Sequence, residues 1–322
     1  MPKILITNNY DNTVKELIKG LKPNDFDLVF IEPFSKEEFL RSCIKVEYFL
    51  VGGRLPIDSE VLSKASQLKM IQRTGVGLDQ IDLEYLKNNK IPLYVNKGIN
   101  ASAVAEHTLL LILAVLRKLN IADGLLKSGI WKKQALGVQT SEVRGKTIGL
   151  IGLGSICEKV ALLLQPFGVK VLYNKRNRLD ASIEQKLDIE YVSLASLFKH
   201  ADIVSLHCSY NESTKEIINK SSIDLMKNEA IVINTSRGKL INELDLVDAL
   251  KNRKVKGVGL DVFQEEPLSS ESELTKLDNA ILTPHVGGIT KESFSDMFIK
   301  AFQNITHFEK GNLAEIESSK VC

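Results

Sequence analysis

The sequence predicts an α/β protein with two parallel β-sheets, and three observations lead to that prediction. Short runs of β-branched and other apolar residues alternate along the chain with amphipathic stretches of helical periodicity. A chain of 322 residues has room for two domains of about 150 residues each. With 44% hydrophobic and 25% charged residues, the composition is that of a globular protein that can bury two cores.

The apolar runs define the expected strands. In the first sheet we expect strands at residues 3–7, 28–31, 48–51, 70–72 and 93–95. In the second sheet we expect strands at residues 147–151, 170–173, 203–206, 231–234, 258–260 and 281–282. Helical patterns lie between the strands, for example at residues 13–21 and 36–43.

Two longer helical patterns indicate how the domains are organised. An alanine- and leucine-rich run reaches from about residue 100 to 116, and its near-uniform apolarity predicts burial on most sides. The last pattern, at about 291–308, follows the second sheet, so we expect that helix to pack back on the first. The predicted domains are therefore 1–98 with 291–322, and 99–290. The polar tail after Gly311 is expected to fray.

Charge and composition argue against several classes of protein. A net charge of +2 gives no electrostatic case for binding nucleic acid or a membrane surface. Residues 109–116 are the longest wholly apolar run, too short to span a bilayer, and the start of the chain shows no signal-peptide pattern. We therefore expect a cytoplasmic protein. Four cysteines without CxxC spacing argue against a metal site or a disulfide framework.

A glycine-rich turn follows the first strand of the second sheet. Gly152 permits a tight turn, and Gly154 lets the backbone approach a pyrophosphate. The helix that follows offers the N–H groups of Ser155 and Ile156 to that anion. Cys157 stands where a third glycine is usual, which could hold the helix slightly farther out. The strand–turn–helix setting favours dinucleotide binding over an ordinary turn.

The next strand ends in a basic segment, Leu-Tyr-Asn-Lys-Arg-Asn-Arg at 172–178. NAD enzymes usually carry an acidic residue there, which binds the ribose. Lys175, Arg176 and Arg178 are suited instead to the 2′-phosphate of NADP. NADP is therefore favoured over NAD, with a solvated basic loop as the alternative.

Several segments, in one order, resemble the D-specific 2-hydroxyacid dehydrogenases. Segment 73–82 (Arg-Thr-Gly-Val-Gly-Leu-Asp-Gln-Ile-Asp) resembles the substrate-loop signature of that family, and 96–107 resembles its interdomain segment. Residues 129–131 and 144–146 resemble the approach to the glycine turn. The catalytic blocks are matched by Asn-Thr-Ser-Arg-Gly at 234–238, Gly-Leu-Asp-Val-Phe at 259–263, Glu-Pro at 266–267 and Thr-Pro-His-Val-Gly-Gly at 283–288. As a set these motifs are highly specific.

The resemblance implies two Rossmann-like, doubly wound domains: a flavodoxin-like substrate-binding lid (1–98 and 291–322) and a dinucleotide-binding domain (99–290). It also implies an active site in the cleft between them and a homodimer built through the cofactor domain. Trp131 could reach the pocket of a neighbouring subunit or could simply pack in an interface.

Reduction of a 2-keto acid requires an anchor for the carboxylate, a proton for the developing alkoxide and a nearby nicotinamide. Arg237 is suited to anchor the carboxylate, and the resemblance adds the backbone N–H groups of Val76 and Gly77. His285 is the candidate acid–base, with Glu266 orienting its ring and stabilising its charged form. Glu265 is adjacent and could be confused with Glu266.

Other residues are expected around the cofactor. By resemblance Asp261 holds the nicotinamide carboxamide, although it could merely cap its turn. The remaining candidates are Thr108, Thr235, His207 and Thr214. The family often has His-x-Pro-x-Thr at the segment 207–211, where this chain has His-Cys-Ser-Tyr-Asn. The sequence therefore does not predict how this loop contacts the cofactor. His107, His200 and His307 are interpreted as ordinary surface or core residues.

The substrate is not fixed by any motif. Loops around 52–55 and 74–78 should select it, and Arg54 could bind a second anionic group or lie in solvent. We expect reduction of glyoxylate, hydroxypyruvate or a similar keto acid. The alternatives are a formate- or phosphonate-type relative, a nicotinamide-sensing co-regulator and a non-catalytic member of the family.

Overall fold

The computed structural model describes residues 1–52 and 55–322, and the chain divides into two compact units. Unit 1 comprises Met1–Asn100 and Lys291–Cys322, and unit 2 comprises Ala101–Thr290. The predicted division placed its first boundary at residue 98. The predicted α/β class with parallel sheets is confirmed, because every strand pair in both sheets is parallel.

Unit 1 begins with alternating strands and helices. They are β1 (Lys3–Ile6), α1 (Asn12–Leu21), β2 (Asp27–Phe30), α2 (Lys36–Ser42), β3 (Tyr48–Val51), α3 (Ser59–Lys64), β4 (Met70–Arg73), α4 (Leu83–Asn88) and β5 (Leu93–Val95). Each of these four helices is capped by a side-chain oxygen that accepts a hydrogen bond from the first helical turn. The caps are Asp11, Ser35, Asp58 and Asp82.

The five strands of unit 1 form a sheet in the order β2-β1-β3-β4-β5. This is the flavodoxin-like order, and apolar cores cover both faces of the sheet. Strand β3 is buried along its whole length, which explains its uninterrupted apolar run.

Unit 2 contains the remaining strands and most of the remaining helices. They are α5 (Ala101–Arg117), α6 (Leu119–Lys127), α7 (Lys133–Gly137), β6 (Thr147–Ile151), α8 (Ser155–Leu164), β7 (Lys170–Asn174), α9 (Ala181–Leu187), β8 (Ile189–Tyr191), α10 (Leu194–His200), β9 (Ile203–Leu206), α11 (Lys220–Leu225), β10 (Ala230–Asn234), α12 (Glu243–Lys251), β11 (Val255–Leu260) and β12 (Ala280–Leu282). Strand β8 was not predicted. It is a three-residue edge strand with one buried side chain, so its sequence carries almost no strand pattern.

The sheet of unit 2 has the order β12-β11-β10-β9-β6-β7-β8. The strand order reverses at β6, which lies between β9 and β7, and ligands of open α/β sheets bind beyond the carboxyl ends of the strands at such a point. Apart from Thr108 on α5 and Val76 and Gly77 in unit 1, the predicted site residues follow the carboxyl ends of β6, β7, β9, β10, β11 and β12. The topology therefore gathers them at one edge of this sheet.

Helix α13 (Lys291–Glu309) belongs to unit 1, where it packs against α1 and β4. The expectation that the tail after Gly311 frays is wrong. Residues Leu313–Ser319 form a short 3₁₀ helix with Ile316 fully buried, and the last residues pair with the edge strand β5. The N–H of Leu93 donates to the carbonyl of Cys322, and Val321 donates to the carbonyl of Leu93. The buried Ile316 side chain and the pairing with the edge of β5 thus order the tail.

Across residues 1–52 and 55–322, no helix combines the length and the apolarity that crossing a membrane requires.

Candidate active site

The turn after β6 requires glycine at its first position. Gly152 has a φ of +87°, and a Cβ atom there would lie 2.5 Å from the backbone nitrogen of Cys208. A side chain would therefore be strained and would also collide with the neighbouring loop. At Gly154 an added Cβ would meet nothing within 4 Å, so there is open space in front of α8.

Helix α8 begins directly after this turn. Gly154 is its N-cap and provides no side-chain acceptor, so the N–H groups of Ser155 and Ile156 have no intrahelical partner. Open space, unpaired N–H groups and the positive end of the helix dipole suit the pyrophosphate of a dinucleotide. Cys157 is fully buried beneath the turn, and burial raises the pKa of its thiol well above the usual value. The thiol is a small neutral side chain there.

The basic loop after β7 is held by a buried carboxylate. Arg178 donates from Nε to Oε1 of Glu184 at 2.9 Å and from Nη2 to Oε2 at 2.8 Å. The hydroxyl of Tyr173 donates to the same carboxylate at 2.5 Å. Arg178 and then Tyr173 lower the pKa of Glu184 to about 2. Arg178 therefore shapes the loop, and its role as a phosphate ligand stays a prediction.

Lys175 and Arg176 are placed differently from Arg178. Among the described residues neither forms an ion pair. The charge of Lys175 acts on Cys157, where it opposes the burial-driven rise in the pKa of that thiol. Lys175 and Arg176 both follow the carboxyl end of β7, the strand that pairs with β6.

The loop after β9 is closed by its own side chains. His207 Nε2 lies 2.9 Å from the hydroxyl of Ser205, and burial lowers the pKa of His207 to about 4. The ring is therefore neutral near pH 7. Thr214 donates to the carbonyl of Ser209 at 2.8 Å and accepts from the N–H of Asn211 at 2.9 Å. These bonds fix a loop that lacks the usual proline.

His285 and Glu266 are in direct contact. Nδ1 of His285 lies 2.8 Å from Oε2 of Glu266, and Oε1 of Glu266 accepts from the N–H of Phe263 at 3.1 Å. The other ring nitrogen, Nε2, has no hydrogen-bond partner among the described residues. The His285 side chain is 45% exposed and that of Glu266 is 19% exposed. One nitrogen is thus held while the other faces outward.

Arg237 follows β10 and lies beside the segment that leads to Glu266. A Cβ atom on Gly238 would lie 1.9 Å from the backbone of Phe263, so only glycine permits this approach. The guanidinium donates to the carbonyl of Ser236 at 2.7 Å, and the Asn234 side chain donates to the carbonyl of Arg237 at 2.9 Å.

Asp261 binds the turn that carries His285. Its carboxylate accepts from the Thr283 hydroxyl at 2.6 Å and from the N–H groups of Val286 and Gly287 at 2.9 and 2.8 Å. Burial acts to raise the pKa of Asp261, but the neighbouring His107 ring and the hydrogen bonds from Thr283 and this backbone outweigh it and lower the pKa. Its role toward the nicotinamide stays a prediction.

Thr108 and Thr235 are brought together. The Thr108 hydroxyl donates to the carbonyl of Val104 at 2.8 Å, so the Thr235 hydroxyl donates to Thr108, with 2.9 Å between the oxygens. Sequence reasoning missed His107, whose ring contacts Thr283. The signal was its place in a matched motif, four residues before Leu111 on α5.

Val76 and Gly77 belong to unit 1, in the bend after β4. Arg73 holds this bend by donating to the carbonyl of Gly77 at 2.9 Å and to that of Val51 at 3.2 Å. Val76 is 52% exposed. The carboxylate-binding role of Val76 and Gly77 stays a prediction, and Arg54 lies outside the described residues.

A glycine turn before an uncapped helix, at the switch point of a parallel sheet, defines a dinucleotide-binding protein. The held histidine and an arginine at the same sheet edge suit acid–base chemistry on an anionic substrate. Together they indicate a nicotinamide-dependent oxidoreductase.

Comparisons with known proteins agree with this class. A family model for the NAD binding domain of D-isomer specific 2-hydroxyacid dehydrogenases matches residues 109–287. The hydroxypyruvate reductase of Thermotoga maritima is 38% identical over 277 residues, which cover 85% of this chain and 88% of the relative. The glyoxylate reductase of Thermococcus litoralis is 37% identical over 262 residues, which cover 80% and 78%. A solved D-lactate dehydrogenase from Aquifex aeolicus, complexed with NAD and lactic acid, matches with a TM-score of 0.86 at 27% identity, covering 99% of this chain and 98% of that one.

The chain belongs to the D-isomer specific 2-hydroxyacid dehydrogenase family. It is an oxidoreductase that acts on the CH–OH group of small 2-hydroxy acids with a nicotinamide cofactor. The resemblance drawn from the sequence motifs is thereby confirmed.

Proposed function

We propose that this enzyme works as a reductase of a small 2-keto acid such as glyoxylate or hydroxypyruvate, with NADPH as the preferred cofactor. The contact between His285 Nδ1 and Glu266 Oε2 carries the acid–base part of the proposal, because it orients a ring whose Nε2 is available. The names of the Thermotoga and Thermococcus relatives support the substrate class.

The residues of unit 2 have separate roles in this reaction. A bound nicotinamide supplies the hydride. Arg237 binds the substrate carboxylate by charge-assisted hydrogen bonds and polarises the neighbouring carbonyl. His285 donates the proton on Nε2 to the keto oxygen as the alkoxide develops. Glu266 keeps Nδ1 protonated and stabilises the imidazolium before the transfer.

Initial-rate kinetics test the proposal. Glyoxylate, hydroxypyruvate, pyruvate and a bulkier keto acid are each assayed with NADPH and with NADH. We expect turnover that is fastest with the two smallest polar acids. A protein that binds the cofactor yet reduces none of the four acids would contradict the proposal and favour a sensing role.

The preference for NADPH is supported by the loop after β7. It carries no acid at residues 172–178, and the ion pair between Arg178 and Glu184 holds it in place. Lys175 and Arg176 belong to this fixed loop, which follows the strand next to β6, where a 2′-phosphate would be bound.

Replacing Lys175 by aspartate together with Arg176 by alanine should reverse the cofactor preference. The new carboxylate accepts hydrogen bonds from a ribose and repels a phosphate, so we expect the NADPH/NADH ratio of kcat/KM to fall about 100-fold. The matched control is Lys170→Asp, because Lys170 lies at the opposite end of β7. An unchanged ratio in the double variant would mean that the loop is only a solvated surface.

We also propose a cytoplasmic homodimer. Support comes from large apolar side chains exposed along and after α6, of which Leu126 is 59%, Trp131 is 78% and Val138 is 84% exposed. A second copy of the chain would cover them.

The variant Leu126→Asp with Val138→Asp tests the dimer, because two buried, unpaired carboxylates in an interface are costly. Light scattering after size-exclusion chromatography should give twice the mass of one chain for the wild type and a single chain for the variant. Leu244→Asp is the control, since Leu244 is 80% exposed on α12. A wild-type protein of single-chain mass would refute the dimer.

A further inference from the structure

We propose that His107 is a positioning residue for the reaction, which holds the turn that carries His285 by way of Thr283 and Asp261. Nε2 of His107 lies 2.9 Å from Oγ1 of Thr283, and the side chain is only 13% exposed. This inference rests on the acid–base role proposed above for His285.

Two glycines in β11 allow α5 to lie unusually close to the sheet. A Cβ atom on Gly257 would lie 2.9 Å from Cγ1 of Val115, and one on Gly259 would lie 2.9 Å from Cβ of Leu111. Any larger residue at either position would push the helix outward. The close approach is therefore encoded in the Gly-x-Gly pattern of the strand.

The same register continues to His107 and Asp261. Four residues of helix advance about 6 Å, and two residues of strand advance about 6.6 Å, so contacts between the two elements repeat in step. From Val115 and then Leu111, the next residue on that face of α5 is His107. From Gly257 and then Gly259, the next on that face of the strand is Asp261. Helix and strand thus deliver His107 to Asp261 and Thr283.

The hydrogen bonds assign the proton on His107. Asp261 is ionised, so the Thr283 hydroxyl must donate its single proton to Oδ1 of Asp261 across 2.6 Å. Oγ1 of Thr283 can then only accept, and the donor is the Nε2–H of His107. The 3.5 Å between this nitrogen and Oδ1 of Asp261 is too long for a good hydrogen bond.

This chain of contacts ends on the backbone at His285. Asp261 holds the N–H groups of Val286 and Gly287, the two residues after His285, which itself has a left-handed φ of +58°. That conformation is uncommon for a residue with a side chain and needs support from its surroundings. Gly287 also packs closely against both Asp261 and His107, since a Cβ there would lie 2.9 Å from Asp261 Oδ2 and 3.0 Å from His107 Cδ2.

The first test compares His107→Leu with His107→Gln. Leucine cannot donate to Thr283, so kcat should fall about 10- to 100-fold, the loss expected when a catalytic group is misplaced by an ångström or less. Cofactor dissociation constants should stay within about twofold of the wild type, because the site of the pyrophosphate is untouched. The amide of glutamine can donate as Nε2 does and should restore most of kcat. His200→Leu, on the exposed face of α10, is the matched control.

A second test measures coupling and the tautomer directly. Thr283→Val removes the intermediate hydroxyl, so the double variant with His107→Leu should be no slower than the slower single variant. The ¹⁵N spectrum of the histidine-labelled protein should show His107 protonated at Nε2.

The outcomes separate this inference from the proposed function. Wild-type turnover together with an unimpaired His107→Leu enzyme would overturn the inference alone. Additive effects with Thr283→Val, or an Nδ1–H tautomer of His107, would do the same even if His107→Leu folded poorly. A wild-type protein that reduces no keto acid would overturn both.

Discussion

Replacing His285 by alanine is expected to lower kcat about 1,000-fold, the middle of the range for loss of a general acid. Glu266 holds Nδ1 at 2.8 Å, so the proton needed by the keto oxygen comes from Nε2, and alanine offers no substitute. Cofactor binding should change less than about threefold, because the glycine turn lies at β6 and His285 follows β12. Steady-state rates and cofactor fluorescence titration measure the two effects separately.

Two further variants make this result specific. Asparagine tolerates the left-handed conformation of residue 285 better than alanine does, so His285→Asn separates lost chemistry from backbone strain. Glu266→Gln keeps a partner for Nδ1 but removes the charge, and we expect a smaller loss, about 10- to 100-fold, since it acts through His285. Because the two residues act as a unit, the double variant should be no slower than His285→Ala. A His285→Ala enzyme with the wild-type kcat would remove His285 from the mechanism.

The fold was predictable where the sequence carries a local signal. Strands such as β3 are buried on both faces, so their apolar runs between turn residues identify them without knowledge of their neighbours. The C-terminal tail was mispredicted because its order depends on a distant partner. Its composition is polar, yet Ile316 is buried and Cys322 pairs with Leu93 on the free edge of β5. A short stretch of sequence cannot show this contact, because Leu93 and Cys322 are far apart in the chain.

The candidate site likewise contains residues that the sequence identifies and contacts that it does not. Motifs in the sequence identified four candidates by residue type and context: Gly152, Arg237, Glu266 and His285. The partners of other residues could not be read from the sequence. His107 meets Thr283, 176 positions away, only because glycines in β11 bring α5 close.

Arg178 was grouped with Lys175 by charge, and its ion pair with Glu184 could not be read from the sequence. Its partner Glu184 is six positions away across a loop and helix start, a spacing that no helical periodicity relates. The ion pair gives Arg178 a part in holding the loop, and its role as a phosphate ligand stays a prediction. Composition predicted a basic loop, and only the contacts distinguish Arg178, which Glu184 holds, from Lys175 and Arg176.

Replacing Arg237 by methionine should lower kcat/KM for glyoxylate or hydroxypyruvate about 1,000-fold, because a buried substrate carboxylate would lose its charge-assisted partner. Arg237→Lys keeps the charge but not the planar fork, so an intermediate loss of about 10- to 100-fold is expected. The effect should appear mainly in kcat/KM, since the arginine both binds the carboxylate and polarises the carbonyl that accepts the hydride.

The decisive comparison uses a second substrate, an aldehyde of similar size without a carboxylate. If Arg237 acts mainly through the carboxylate, the wild type should reduce this aldehyde poorly, and Arg237→Met should lower that residual rate far less than the rate with the keto acid, because only the polarisation of the carbonyl is lost. The effects of removing the substrate carboxylate and of removing the guanidinium would then not be additive, which shows that the two groups interact. Equal losses with both substrates would instead mean that Arg237 serves the fold. The packing of Gly238 against Phe263 makes that a real competing outcome, because this backbone also leads to Glu266.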